Sequence, residues 1–371
     1  MARVLGIVTG SSKNTWVEGL ENYRGVGAFS FLGRYRTLDF PMSNLSNSGV
    51  DRIQVYIRRK PRSIVQHIGT GRHYSINSKR GKVEILFSEN QSERDIYNTD
   101  ITSYIDNLEN IEKANCEYVV IVPSYLVYTA DFSELLDKHI ASGAEVTLLY
   151  HNVENAKDTF HKCDLVNLNR QQGVLSLERN KGNEAACNIS LDTYIMSKDL
   201  FIDLIKRAHN ISSLYTLSDI INAECGELDV RGVEHTGYVA AITDFKSYYE
   251  ANLALIDYNT SKTLFNPEWP IYTRTNDSCP THYCESAEVK NSVISNGCVI
   301  EGTVENSIIG RGCTIKKGTV VKNCVILPDV YIAENAVLEN VVVDKHAKII
   351  HTKEIVADAE HPGYVKRGDT L

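Results

Sequence analysis

The sequence predicts an α/β domain on a mostly parallel sheet, followed by a parallel β-helix, and two features of the chain carry that expectation. Over residues 1 to 258, short β-branched apolar runs alternate with stretches of helical periodicity, the pattern of helices covering a parallel sheet. From Asn291 the chain repeats itself: Asn291-Ser292-Val293-Ile294, Asn306-Ser307-Ile308-Ile309, Asn323-Cys324-Val325-Ile326 and Asn340-Val341-Val342-Val343 follow at spacings of 15, 17 and 17 residues. A length of 371 residues, too great for one compact core, agrees with two domains.

The first domain, 1–258, opens on the apolar run 5–8, which reads as a buried strand. It lacks the length and small-residue cleavage site of a signal peptide, so the chain is expected to be cytoplasmic. Runs 53–57, 118–122 and 146–150 are further strands. Between the last two strands and beyond, Phe132, Leu135, Leu136 and Ile140 recur at helical spacing behind Asp131, an N-cap with Glu134 three residues on. A closing helix over 246–255 should turn Tyr249, Asn252 and Leu253 inward. The two prolines of Asn266-Pro267-Glu268-Trp269-Pro270 exclude a regular element and mark a linker, 259–285. In the second domain, 286–371, Ile309, Ile315, Val321, Ile326, Ile332, Leu338, Val343 and Ile349 fall five or six residues apart, one inward residue for each side of a triangular coil.

Composition removes several function classes. A net charge of -8 disfavours nucleic acid as a partner, and no apolar run approaches the roughly 20 residues that span a bilayer. Nine cysteines, an odd number without a CxxC pair, read as reduced thiols. Cys279, His282 and Cys284 offer three zinc donors in six residues with no fourth nearby, so they read as linker.

Particular motifs point further. Gly33-Arg34-Tyr35-Arg36-Thr37-Leu38-Asp39-Phe40-Pro41-Met42-Ser43-Asn44 is very similar to the GRYRxxDFxxSN stretch of glucose-1-phosphate adenylyltransferases (ADP-glucose pyrophosphorylases). Tyr248-Tyr249-Glu250-Ala251-Asn252 and Trp269-Pro270-Ile271-Tyr272-Thr273 resemble two further signatures of that family. The resemblance covers nearly the whole chain. It implies a Rossmann-like, GT-A-like nucleotidyltransferase domain followed by a left-handed β-helix, and attack of a sugar 1-phosphate on the α-phosphorus of ATP with magnesium assistance.

Against that family's pattern the catalytic positions are altered. Val122-Pro123-Ser124-Tyr125-Leu126-Val127-Tyr128 resembles the metal-binding Leu-Ser-Gly-Asp-His-Ile-Tyr, with Tyr125 at the aspartate. Ala241 stands at the second metal aspartate, in Gly237-Tyr238-Val239-Ala240-Ala241. A neutral phenol and a methyl group are no substitute for two hard carboxylate ligands. Ser11, Lys13 and Thr15 replace residues of a glycine-rich phosphate loop and its arginine; Val26 replaces a phosphate-facing lysine, Asn180 a sugar-phosphate lysine and Asp192 a glycine near the sugar. Each lost charge stabiliser costs about 2.7–4 kcal/mol in a transition state of this kind.

The resemblance therefore implies a noncatalytic regulatory subunit of the GlgD type. Such a chain would hold no cofactor of its own, leave Mg2+ to a catalytic partner, and assemble with that partner, as a heterotetramer, in glycogen biosynthesis. Arg58, Arg59, Lys60, Arg62, Arg72, His73, Lys79, Arg80 and Lys82 form a basic stretch. Together with the family's use of arginines facing the β-helix, it suggests an effector site for a phosphorylated metabolite using Arg34, Arg36, Arg72 and His73. Two alternatives stay open: a weakly active enzyme with replacement ligands such as Asp100, Asp192 or Asp244, and a stand-alone sugar-phosphate sensor.

Overall fold

The computed structural model describes residues 3–10, 16–77, 79, 81–88 and 97–371; Ser11, Lys13, Thr15 and Arg80 lie outside them. A nine-stranded sheet organises the first domain. At its centre Val4–Thr9 pairs in parallel with Arg52–Ile57 on one side and Tyr118–Pro123 on the other, and Arg52–Ile57 pairs with Lys82–Phe87. Cys187–Ser197 enters antiparallel between Tyr118–Pro123 and Val146–Val153. Strands 5–8, 53–57, 118–122 and 146–150 are thus each present and slightly longer than the apolar run that predicts them. Their side chains are buried on both faces, in two separate cores, which is why the sequence shows unbroken apolar runs rather than alternation.

Helix Phe132–Ser142 begins where Asp131 accepts from the amides of Ser133 and Glu134 and ends at Gly143, whose φ of 67° suits a residue without Cβ. The closing helix Phe245–Ala254 is capped by Asp244 and Ser247 in a reciprocal box. Its inner face ties three parts of the molecule. Asn252 Oδ1 accepts from Leu32 N at 2.9 Å, the Tyr248 hydroxyl donates to Ser30 O at 2.6 Å, and the Tyr249 hydroxyl donates to Asn323 O in the second domain at 2.7 Å.

The second domain is built of three five-stranded parallel sheets whose strands succeed one another around each coil, a left-handed β-helix. Ile300, Ile315, Ile332 and Ile349 stack inside one side, Val304, Val321 and Leu338 inside the second, and Ile309, Ile326 and Val343 inside the third, all fully buried. The asparagines that open each sequence repeat have a backbone reason. Asn291, Asn306, Asn323 and Asn340 turn the corners at φ of 42°, 47°, 49° and 56°, the left-handed region that asparagine tolerates better than other side-chain-bearing residues.

The segment 259–285 is more structured than a plain linker. Tyr258–Leu264 is helical, and His282–Tyr283 already pairs with Val299–Ile300 as the first strand of the β-helix. Between them the chain docks on the helix Asp39–Asn47: Trp269 Nε1 donates to Asn44 Oδ1 at 3.0 Å, Asn47 donates to Pro270 O, and Tyr272 N donates to Ser43 Oγ. Ile308, Val325 and Val342, on the outer face of the third sheet, join the core of the first domain, so the two domains share apolar packing.

Candidate functional site

Two regions contain the chemistry the sequence singles out: the cleft at the carboxyl ends of the parallel strands, and a cavity between the domains. In the cleft, Tyr125 follows the strand Tyr118–Pro123 and Ala241 lies on Ala240–Ala241, which pairs antiparallel with Leu126–Val127 so that Ala241 faces Leu126. The fold thus brings together the two positions that the family motif assigns to metal ligands. What they offer is different in kind. The Tyr125 hydroxyl donates to Asp192 Oδ2 at 2.6 Å, and both side chains are buried. Burial, then the Asp192 charge, holds the phenol well above its usual pKa, so it stays a protonated donor. A protonated phenol committed to a carboxylate and a methyl group do not fit magnesium at this position.

Asp192 and Tyr125 are partners in one buried hydrogen bond. Asp192 sits at φ 45° in a bulge of the strand Cys187–Ser197, between Ser190 and Thr193, where glycine would be the unstrained choice.

The neighbouring end of the cleft, around Gly10, is filled from within. Arg58 is half-buried, donates to Asn98 O at 2.6 Å, and lies against Gly10, where an added Cβ would stand 3.5 Å from its guanidinium. Val26 is buried in the short helix Val26–Ala28. Among the described residues, the space that Gly10, Val26 and Arg58 line amounts to about 90 Å3, well below the roughly 300 Å3 of small ligand sites. Asn180 is held by the protein itself. Its amide donates to the carbonyls of Ala156, Thr159 and Phe160, and its oxygen accepts from Gly182 N, so it clamps the loop 156–163.

Between the domains lies a cavity of about 600 Å3 lined by Arg24, Arg34, Arg36, Arg274, Arg311, Lys345 and Arg367, with Asp277 and Asp329 the acidic residues on its wall. The cations come from three sources: the start of the first domain, the linker and the corners of the β-helix. Arg24 is anchored by Asp344, at 2.6 and 2.5 Å, and Arg36 by Ala28 O and Ser30 Oγ. Burial and the nearby Arg24 lower Arg36 to about 10, and burial together with Arg36 and Arg24 lowers Lys345 to about 6. Crowded, desolvated cations of this sort favour an anion that would relieve their mutual repulsion.

Of the residues expected at an effector site, Arg34 and Arg36 line this cavity and Arg72 and His73 do not. Arg72 is exposed in the turn Arg72–Tyr74. His73 meets His67 edge-on and lies tilted against Tyr74 beside Asp39, bringing an oxygen and two ring nitrogens within 4.8 Å. Asp39 is already committed there, accepting from His67 at 2.6 Å, Tyr74 at 2.7 Å and Arg36 N at 2.8 Å, a structural hub under the cavity wall. Arg24, Arg274, Arg311, Lys345 and Arg367 escape the sequence reading. One signal does exist for the β-helix members: Arg311, Pro328 and Lys345 stand 17 residues apart, the same corner of successive coils.

A two-domain nucleotidyltransferase-type protein, with a cleft that holds the Tyr125–Asp192 pair and a cationic cavity against its β-helix, is what fold and site define. Residues 25–256 match the nucleotidyl transferase family and residues 280–364 match the GlmU-like C-terminal hexapeptide family; the chain belongs to the nucleotidyl transferase family. It is similar to "Glycogen biosynthesis protein GlgD" of Bacillus subtilis, 29% identical over 367 residues covering 99% of this chain and 96% of the relative. The protein of the same name from Geobacillus stearothermophilus is 30% identical over 86% of this chain and 83% of its own. A glucose-1-phosphate adenylyltransferase of Fervidobacterium nodosum is 29% identical over 94% of this chain and 84% of its own. Among the described residues, no helix is long and apolar enough to cross a membrane.

Proposed function

We propose that this chain is a regulatory, catalytically silent subunit of glucose-1-phosphate adenylyltransferase in glycogen biosynthesis, working in the cytoplasm by modulating a catalytic paralogue. The observation that carries the reading is the 2.6 Å bond from Tyr125 to Asp192 at the motif position of a metal-binding aspartate. A site that has exchanged a ligand for a donor, and spent the donor on a new carboxylate, has lost the charge neutralisation that phosphoryl transfer requires. Replacement by Asp244 is unfavourable because that side chain caps a helix, accepting from Ser247 N at 2.8 Å.

The inter-domain cavity supports the regulatory half of the reading. An anion there would touch the first domain, the linker and the β-helix at once, and would couple to a partner through whichever arrangement of these it favours. The test is ADP-glucose formation by this chain alone, by a catalytic paralogue alone, and by the two together, with and without phosphorylated metabolites. No turnover alone and a raised or effector-shifted rate in the mixture is the expected outcome. Magnesium-dependent turnover by this chain alone would refute it.

A further inference from the structure

We infer that the first domain binds a small hard cation, stripped of most of its water, between Asp100 and Asp192 on the far side of the Tyr125 phenol. A small enclosed cavity there is lined by Thr9, Gly10, Asp100, Asp192, Tyr194 and Ser218, among others, with room for about one water-sized particle. Asp192 Oδ1, buried without a hydrogen-bond partner, marks it as a site, and the buried Tyr194 hydroxyl, which the Ser190 hydroxyl reaches, lies on the same wall.

The charges point the same way. Asp100 is fully buried and uses its oxygens on the amides of Ile101 and Leu217, at 2.9 and 3.3 Å, which leaves lone pairs on both. Arg58 offsets Asp100, whereas Tyr125 gives Asp192 a hydrogen bond without a positive charge. Two carboxylates around one particle-sized space are costly to bury unless something cationic shares it. All the side-chain donors are oxygens, the ligand set of sodium, potassium or calcium; magnesium, which keeps several waters, is the least suited to so small a space. This ion would be structural, and separate from the metal positions at Tyr125 and Ala241.

The test is thermal unfolding of the full chain in potassium, sodium or calcium chloride against choline chloride at equal ionic strength, for the native protein, Asp192→Asn and Tyr194→Phe. A saturable rise of about 2–4 °C with at least one of these cations is expected for the native chain, and its loss in both variants. Asparagine suits the left-handed backbone at 192, and the comparison is within each variant, so a general loss of stability does not enter. Equal melting in metal and choline, or a rise that persists in Asp192→Asn, would overturn the inference and leave a single water in the cavity.

Discussion

Replacing Tyr125 by phenylalanine tests whether the two substitutions in the cleft are one unit. The hydroxyl is a donor to a buried carboxylate at 2.6 Å, a charge-assisted bond, and its removal leaves Asp192 Oδ2 desolvated and unpaired. That should cost about 2–3 kcal/mol. Asp192→Gly removes the carboxylate and also relieves a left-handed residue at φ 45°, worth about 1 kcal/mol, against a buried phenol left without an acceptor at about 1–2 kcal/mol. The net change should be near zero, about 0–1 kcal/mol. With both replaced, neither orphan remains, so the double variant should be more stable than Asp192→Gly alone by about 1–2 kcal/mol, the cost of the orphaned phenol, a coupling of about 3–5 kcal/mol in magnitude. Urea unfolding of the four proteins, followed by fluorescence, closes the cycle. Additive losses, with a coupling below about 0.5 kcal/mol, would show that the two side chains do not act as a unit.

Other expectations follow from the second site and from the β-helix. Arg34→Ala should weaken pyrophosphate binding by about tenfold or more in calorimetry, the loss of one charge-assisted contact, while Arg72→Ala should leave it unchanged. Lys345, lowered to about 6, is mostly neutral above that pH in the free protein; an anion stabilises its protonated form, so binding at pH 7.5 should take up protons and weaken as pH rises. Calorimetry in buffers of different ionisation enthalpy measures the uptake, and proton release would contradict the assignment. Asn306→Ala should destabilise by about 1 kcal/mol and Asn306→Gly by much less, because φ 47° rather than the side chain dominates at that corner. Leu338→Ala, fully buried in the coil interior, should cost about 2–5 kcal/mol by thermal or urea unfolding.

How much was legible depended on whether a feature is local or periodic. The β-helix interior was readable position by position, since Ile309 to Val343 recur at a fixed step and each occupies the same side of a coil. The asparagines were visible as the start of each repeat, but their left-handed backbone is a property of the corner and not of the pattern. The pairing of Tyr125 with Asp192 links residues 67 positions apart through a strand bulge, and no spacing rule announces that. The cationic cavity is the clearest case. Local charge density pointed to residues 58–82, yet the structure spends Arg58 inside the cleft and leaves Arg72 on the surface, and gathers Arg24, Arg274, Arg311 and Lys345 from sites up to 321 residues apart. Asn180 shows the converse: a residue read as a lost ligand has a complete set of structural duties.

The segment around Trp269 works as a truss rather than a tether. Its indole is bonded to Asn44 Oδ1, and the amide of the same asparagine donates to the Tyr128 carbonyl at 2.9 Å, three residues from Tyr125. At its other end the segment supplies Arg274 to the inter-domain cavity, where Arg274 Nη1 is fixed to Gln66 O and its carbonyl accepts from Arg311. A displacement of Arg274 is therefore resisted by one short series of directional bonds that ends beside the altered metal cleft. The part of the chain that joins the domains also sets the distance between the cationic cavity and the strand end, and a graft of either domain onto another partner would have to carry Asn44 and Trp269 together to keep that distance.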